Sequence, residues 1–352
     1  MAVRSFKGQV CALRGQIGRF LSGLRTRSAI LPMPRFPGCV TLANMNDNSI
    51  NQREAILEAR GLSKRFGSGF LAVDAVDMTV RRGEVYGFLG PNGAGKTTTL
   101  RMLVGLIGAT SGTIKIAGHP PGDPAGLAKI GCLIEGPGFY PYLSGRDNLR
   151  VVADLASVSQ KRVDEVLDLI EMTSRAGRKF GTYSTGMRMR IGVAAALLKD
   201  PDLLILDEPT NGLDPQGMAE MRKLITQIGQ GDRTVLISSH LLGEVQQTCD
   251  RVGVIANGKL VRESTVEDLL GDEGVFVRAD SSDRAQEVLT RMFGTAAVVR
   301  ENGHFNIRTD PGHSLEINRQ LSASGIGVSE LRPLDRSLED VFFQLTGDKQ
   351  GS

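Results

Sequence analysis

The chain has 352 residues, 41% hydrophobic and 23% charged, the make-up of an ordinary globular protein with room for two or three domains. No apolar run nears the roughly 18 residues that cross a bilayer, so work at a membrane would need another chain to do the spanning. The net charge of +3 is unevenly spread: residues 1–44 hold seven basic residues and no acidic one, which leaves −4 for residues 45–352 and excludes the basic balance of a nucleic-acid binder.

Residues 1–44 show no sustained periodicity. They match an Arg-rich transit peptide in form, but composition favours a disordered or mis-annotated extension with Met45 as the true start. Structured sequence is expected from Ala55. AILEARGLSKRFG and LAVDAVDMTV alternate like antiparallel strands, and RGEVYGFLG reads as a short buried strand ending in glycine. TTTLRMLVGLIG predicts a helix and TIKIAGH a strand. Asn148 to Leu198 has a helical pattern broken at RKFGTYSTG. DLLILDEPT and TVLISSH are short apolar runs of the kind that form central parallel strands. GVIANGKLV reads as a hairpin turning at Asn257-Gly258.

The pattern changes near Gly274. Strand, helix, two strands, helix and strand follow in order, the β–α–β–β–α–β arrangement of a ferredoxin-like α+β unit. A last helix is expected to open at Ser337, with Asp340 completing a capping box. The expected organisation is therefore an extension at 1–44, a main α/β domain at 55–273 and a small accessory domain at 274–347. Cys11, Cys39, Cys132 and Cys249 have no metal-ligand spacing and suggest a reducing compartment without a disulfide framework.

GPNGAGKT fits G-x-x-x-x-G-K-[ST] in full, after a predicted strand and at the start of a predicted helix. Gly90, Pro91, Asn92, Gly93, Ala94, Gly95, Lys96, Thr97 and Thr98 are the expected phosphate cradle. Glycines let backbone N–H groups converge on phosphate oxygens, and the helix N-terminus adds free donors and a positive dipole end. Lys96 would meet the β- and γ-phosphates, and the Thr97 hydroxyl would meet Mg²⁺. LLILDEPT brings Asp207 and Glu208 to the end of a buried strand, where ligands of open α/β sheets bind. Asp207 is then placed to hold Mg²⁺, directly or through water, and Glu208 to orient and deprotonate an attacking water. His240, at the end of TVLISS, becomes a candidate γ-phosphate contact in that company.

The order of these pieces, with YSTGMRMR between the P-loop and LDEPTNGLD, resembles ABC transporter ATP-binding subunits from about Ala55 to Thr265, and to about Gly347 with the tail. The resemblance implies a P-loop NTPase of the ABC type: a RecA-like core, an antiparallel β subdomain and a helical subdomain carrying the signature. The signature reads Tyr-Ser-Thr-Gly-Met here against the usual Leu-Ser-Gly-Gly-Gln; Ser184 and Gly186 are kept, while Thr185 and Met187 depart. It further implies a homodimer or pseudo-dimer in which each ATP lies between one P-loop and the other subunit's Ser184, Thr185 and Gly186. Asp214 would line the seam and Phe66 would stack on adenine. A separate polytopic permease would read the opening and closing, which places the chain at the cytoplasmic face of the plasma membrane.

Within that family the chain looks like the bacitracin-resistance, daunorubicin-resistance and lantibiotic-immunity ATPases. RSLEDVFFQLTG and IGCLIEGPGFYPYLSGRDNL carry this likeness. Most relatives have Gln at the position of Glu135. Glu135 is accordingly expected as a catalytic and Mg²⁺-binding third carboxylate near Asp207 and Glu208. The expected function is ATP hydrolysis driving export of an antibiotic or antimicrobial peptide. The competing reading is a soluble or regulatory ABC ATPase not dedicated to transport. A single cassette, with about ninety residues between Lys96 and Ser184, leaves no room for the paired cassettes or long coiled coils of ribosome- and DNA-acting relatives.

Overall fold

The computed structural model describes residues 53–67, 69–270, 274–301, 303–334, 338–339 and 341–342. The expectations for residues 1–44 and for a capping box at Ser337 and Asp340 lie outside them.

The described chain opens with two antiparallel strands, β1 (Ala55–Phe66) and β2 (Phe70–Arg81). Next come β3 (Val85–Leu89), α1 (Lys96–Leu103), β4 (Ser111–Ile116), α2 (Pro124–Ala128) and β5 (Ile130–Leu133). A helical stretch holds α3 (Gly145–Leu155), α4 (Gln160–Leu169) and α5 (Thr185–Leu197), and the break between α4 and α5 contains one 3₁₀ turn at Phe180–Thr182. β6 (Leu203–Asp207), α6 (Pro215–Gly229), β7 (Thr234–Ser239), α7 (Leu242–Thr248), β8 (Arg251–Ala256), β9 (Lys259–Thr265) and α8 (Val266–Leu270) complete the main part.

These strands form two sheets. One is antiparallel, in the order β2-β1-β4; the other has six strands in the order β5-β6-β7-β3-β8-β9, parallel except for the β8–β9 hairpin. That hairpin turns at Asn257 (φ 49°) and Gly258 (φ 80°), the two left-handed positions a type I′ turn needs. The six-stranded sheet is covered on both faces, which is why its central strands are apolar throughout rather than alternating. Leu204 and Leu206 of β6, Val235 and Ile237 of β7 and Val252 of β8 face the helical core with α3–α6. Tyr86 and Phe88 of β3, Leu203 and Ile205 of β6 and Leu236 of β7 face a second core with Ile56, Val73 and Met78 of the antiparallel sheet.

The helix expected over TTTLRMLVGLIG stops early, at Leu103. Gly105 sits at φ 76°, its N–H bonds Met102 O (3.1 Å) and Leu106 N–H bonds Arg101 O (2.9 Å). This is a Schellman closure, and it ends the helix despite the apolar residues that follow.

The C-terminal part runs β10 (Gly274–Ala279), α9 (Ser282–Phe293), β11 (Val298–Glu301), β12 (His304–Arg308), α10 (Ser314–Ala323) and β13 (Val328–Pro333). Its strands pair antiparallel in the order β11-β12-β10-β13 and enclose a core of their own around Val277, Leu289, Phe305 and Leu321. Beyond it, Leu338 and Phe342 are buried in the helical core of the main part, and the Leu338 N–H donates to Gln246 Oε1 of α7 at 3.1 Å.

Candidate nucleotide site

Strand order explains how distant segments meet. β6, β7 and β3 are adjacent and parallel, with Asp207 level with Ser238 and Leu89 level with Ser239. Their carboxyl ends therefore deliver Asp207, Glu208, the β7 serines, His240 and the P-loop to one rim, where open α/β sheets bind ligands.

The loop leaves β3 at Gly90, where a Cβ would come within 2.3 Å of Ile255 O, and enters α1 at Gly95 (φ 107°), where a Cβ would meet Ala72 O at 2.5 Å. Glycine is required at both by close backbone approach, and at Gly95 also by the left-handed turn. Pro91, Asn92 and Gly93 are exposed, Ala94 to Lys96 are buried, and Thr97 and Thr98 are half-buried in the first turn of α1. The Lys96 ammonium, on a side chain 6% exposed, donates to Gly90 O (2.7 Å) and Pro91 O (3.2 Å) and lies 3.0 Å from Glu208 Oε1.

The Thr97 hydroxyl donates to Asp207 Oδ2 at 2.9 Å. Asp207 Oδ1 accepts from Ser238 Oγ at 2.5 Å, and the same Ser238 oxygen accepts from Glu208 N at 3.0 Å. Glu208 holds φ at 48°, uncommon for a residue with a long side chain. Its backbone is pinned there by Ser238, and its second oxygen, Oε2, lies 2.8 Å from His240 Nδ1. A carboxylate oxygen accepts, so this contact calls for a proton on His240 Nδ1. Ser238 was not singled out in the sequence. Inside an apolar strand a serine carries no local signal, and only the register with Asp207 reveals it.

A hydroxyl and a carboxylate side by side are hard oxygen donors that fit Mg²⁺, which takes one or two protein oxygens and fills its octahedron with phosphate and water. Glu135 was expected as a third carboxylate near Asp207 and Glu208. Among the described residues no group of three His, Cys, Asp or Glu side chains could jointly hold a metal. Glu135 stands in the loop after β5 at φ 63°, its side chain 53% exposed, and pairs with the Arg101 guanidinium of α1. That hydrogen bond, and further off the charge of Asp207, raise the Arg101 pKa against the opposing effect of burial.

The other expected residues lie in two further places. Phe66 ends β1, 41% exposed, with the Lys64 ammonium 5.1 Å from its ring centroid, a platform open to an aromatic ligand. Ser184 caps α5 by accepting from Met187 N (3.3 Å), and Asp214 caps α6 by accepting from Gly217 N (2.9 Å). Ser184, Thr185, Gly186 and Asp214 share one open cleft of about 600 Å³ that no residue from Gly90 to Thr97 lines. The structure thus gathers the P-loop, Asp207, Glu208 and His240, and puts the signature segment with Asp214 elsewhere on the chain.

The family model described as ABC transporter matches residues 73–211. The bacitracin transport ATP-binding protein BcrA of Bacillus licheniformis is 39% identical over 299 residues, 83% of this chain and 97% of that protein. The lantibiotic transport ATP-binding protein SrtF of Streptococcus pyogenes is 37% identical over 227 residues, 63% of this chain and 98% of that one. Among solved structures, cbiO1 from Clostridium perfringens, part of the ABC transporter complex cbiONQ, is similar with a TM-score of 0.57 and 26% identity, over 68% of this chain and 96% of that one.

Proposed function

This chain belongs to the ABC transporter ATP-binding family, and on that premise we propose that it hydrolyses ATP to drive export of an antibiotic or antimicrobial peptide through a separate membrane permease. The observation that carries the chemical part is the convergence of Lys96, Glu208 and His240 at the rim of the sheet. Relatives named for bacitracin and lantibiotic transport support the cargo class.

ATP would lie with its adenine on Phe66 and its phosphates on the N–H groups of Gly93 to Thr98 at the α1 N-terminus. Lys96 would exchange Glu208 for the β- and γ-phosphate oxygens, a charge-assisted contact in a nearly dry slot. Thr97 and Asp207 would hold Mg²⁺, which supplies charge neutralisation at the phosphates when bound. Ser238 fixes the Asp207 carboxylate from behind. Glu208, released by Lys96 and oriented by His240, would then take a proton from the attacking water as general base.

The cleft with Ser184, Thr185, Gly186 and Asp214 faces outward and suits the phosphate end of a second subunit's ATP. Ser184 has the free N–H groups of α5 behind it, the same anion-binding logic as the P-loop. Two subunits would close head to tail over two ATP molecules, and hydrolysis would release them. No described helix is long and apolar enough to cross a membrane. A groove of about 360 Å³ lined by Leu106, Ile134, Phe139, Val152, Ala156 and Lys199 borders the Glu135 loop and offers an apolar seat for a permease segment.

The test has two arms. Purified chain with ATP and Mg²⁺ should release phosphate, faster when its permease is present. Cells that lose the chain should become more sensitive to bacitracin-like peptides. Binding without turnover, with the permease present, would reject the enzymatic part; unchanged sensitivity would reject the cargo class.

A further inference from the structure

Glu135 is a carboxylate directed by backbone rather than by packing. Its φ of 63° and the φ of 86° at Gly136 turn the loop sharply at the end of β5. Its side chain is about half-exposed, and its hydrogen bond goes to Arg101. Arg101 lies five residues beyond Lys96 on the same helix, in its last turn. A surface ion pair of this exposure adds little to stability, so fold stability is a poor account of it.

Charge balance gives a better one. Glu208 is matched by Lys96 at 3.0 Å. Asp207 is held by two hydroxyls, those of Thr97 and Ser238, and by no ammonium or guanidinium at salt-bridge distance among the described residues. A triphosphate adds several negative charges to this rim. A further unmatched carboxylate on the adjoining loop would repel it. A carboxylate and guanidinium held together present no net charge.

We propose that Arg101 is a positioning residue that neutralises Glu135 at the edge of the nucleotide site, so that the loop after β5 can carry a carboxylate there without repelling the phosphates of ATP. The proposal rests on the reading of Gly90 to Thr98 as the phosphate cradle. Arg101 acts through Glu135, not by binding phosphate itself. β5 pairs parallel with β6, Leu133 level with Leu206, so the loop after β5 leaves the sheet on the same rim as Asp207 and Glu208.

The experiment is a double-mutant cycle on the full chain: wild type, Arg101→Met, Glu135→Gln and the double variant. The readout is the affinity for a fluorescent ATP analogue in EDTA, without metal and without turnover, with thermal melting to confirm that each variant is folded. Arg101→Met should weaken binding about threefold to tenfold in the presence of Glu135, as expected for one unscreened charge near the surface. Glu135→Gln should bind at least as tightly as wild type. The double variant, neutral again, should return to within about twofold of wild type, and Arg101→Lys, which keeps the charge, should do the same. A double variant that binds as weakly as Arg101→Met would show a direct phosphate contact and overturn the proposal, as would no loss in Arg101→Met. A loss in Arg101→Lys as large as in Arg101→Met would also overturn it. Failure of the wild type to bind the analogue would instead reject the phosphate cradle.

Discussion

Lys96 Nζ and Glu208 Oε1 lie 3.0 Å apart, joining the P-loop to the end of β6. Both side chains are largely buried, and each has a second commitment: Lys96 to the carbonyls of Gly90 and Pro91, Glu208 to His240 Nδ1. On the proposed reading a phosphate arriving at the P-loop would compete with Glu208 for the ammonium, so that binding of ATP and release of Glu208 would be one exchange of partners.

Glu208→Gln removes the proposed base but keeps the shape. Hydrolysis should fall by at least about a hundredfold, the size of a lost general base. ATP affinity should be unchanged or tighter, since the neutral amide competes less for Lys96. Phosphate release and equilibrium nucleotide binding measure the two. Wild-type turnover in this variant would move the base to another residue.

Lys96→Ala should cost about tenfold to a hundredfold in ATP affinity, the worth of a charge-assisted contact in a site that admits little water. Lys96→Arg should not restore it. The slot is closed around a side chain 6% exposed, and a guanidinium is wider and cannot place three donors as an ammonium does. Isothermal titration with ATP checks both variants, and normal affinity in Lys96→Ala would reject the phosphate assignment.

Ser238→Ala takes away the hydrogen bond on Asp207 Oδ1 and one of the two acceptors of Glu208 N, leaving Ser238 O at 3.2 Å, in a residue with no exposed surface. Supporting groups of this kind are worth about tenfold to a hundredfold in metal affinity. The Mg²⁺ concentration for half-maximal hydrolysis should rise accordingly, while metal-free ATP binding stays near wild type. A stability loss of about 1 to 3 kcal/mol should accompany it. An unchanged Mg²⁺ requirement would remove Ser238 from the metal-supporting role.

What could be read in advance follows from how local each signal is. Gly90 to Thr97 carry their function in consecutive residues, and the buried runs of β3, β6 and β7 announce a parallel sheet by their length and polar ends. Asp207 and Glu208 followed from the strand they terminate. Ser238 and Arg101 could not be found that way, because each acts on a residue of another segment: Ser238 through strand register, Arg101 through the way α1 passes the loop after β5. The left-handed backbone at Glu208 and Glu135 is equally silent, since no glycine or asparagine marks it. Glu135 was expected near Asp207 and Glu208 from the position it shares with the resembling family, and its pairing with Arg101 had no signal in the sequence.

Glu84 is fully buried between β2 and β3, and Arg251 Nη1 lies 3.0 and 3.2 Å from its two oxygens. Tyr86 Oη and Arg251 also reach Glu263, so this cluster ties the β8–β9 hairpin to the antiparallel sheet. Burial pushes the Glu84 carboxyl above its ordinary 4.5, against the pull of the Arg81 N–H and of Arg251. The folded state therefore binds this proton more tightly than the unfolded chain does. The resulting contribution is complete below 4.5 and is lost as pH rises through the raised value. Glu84→Gln has no such proton, so the advantage of wild type over Glu84→Gln should shrink as pH rises from 4.5 towards neutral. Arg251→Met should be worse than either at neutral pH, by about 3 to 5 kcal/mol, because it leaves a buried carboxylate unmatched. Urea unfolding of the three proteins across that range tests both statements. A wild-type advantage that widened with rising pH would mean that Arg251 outweighs burial at Glu84.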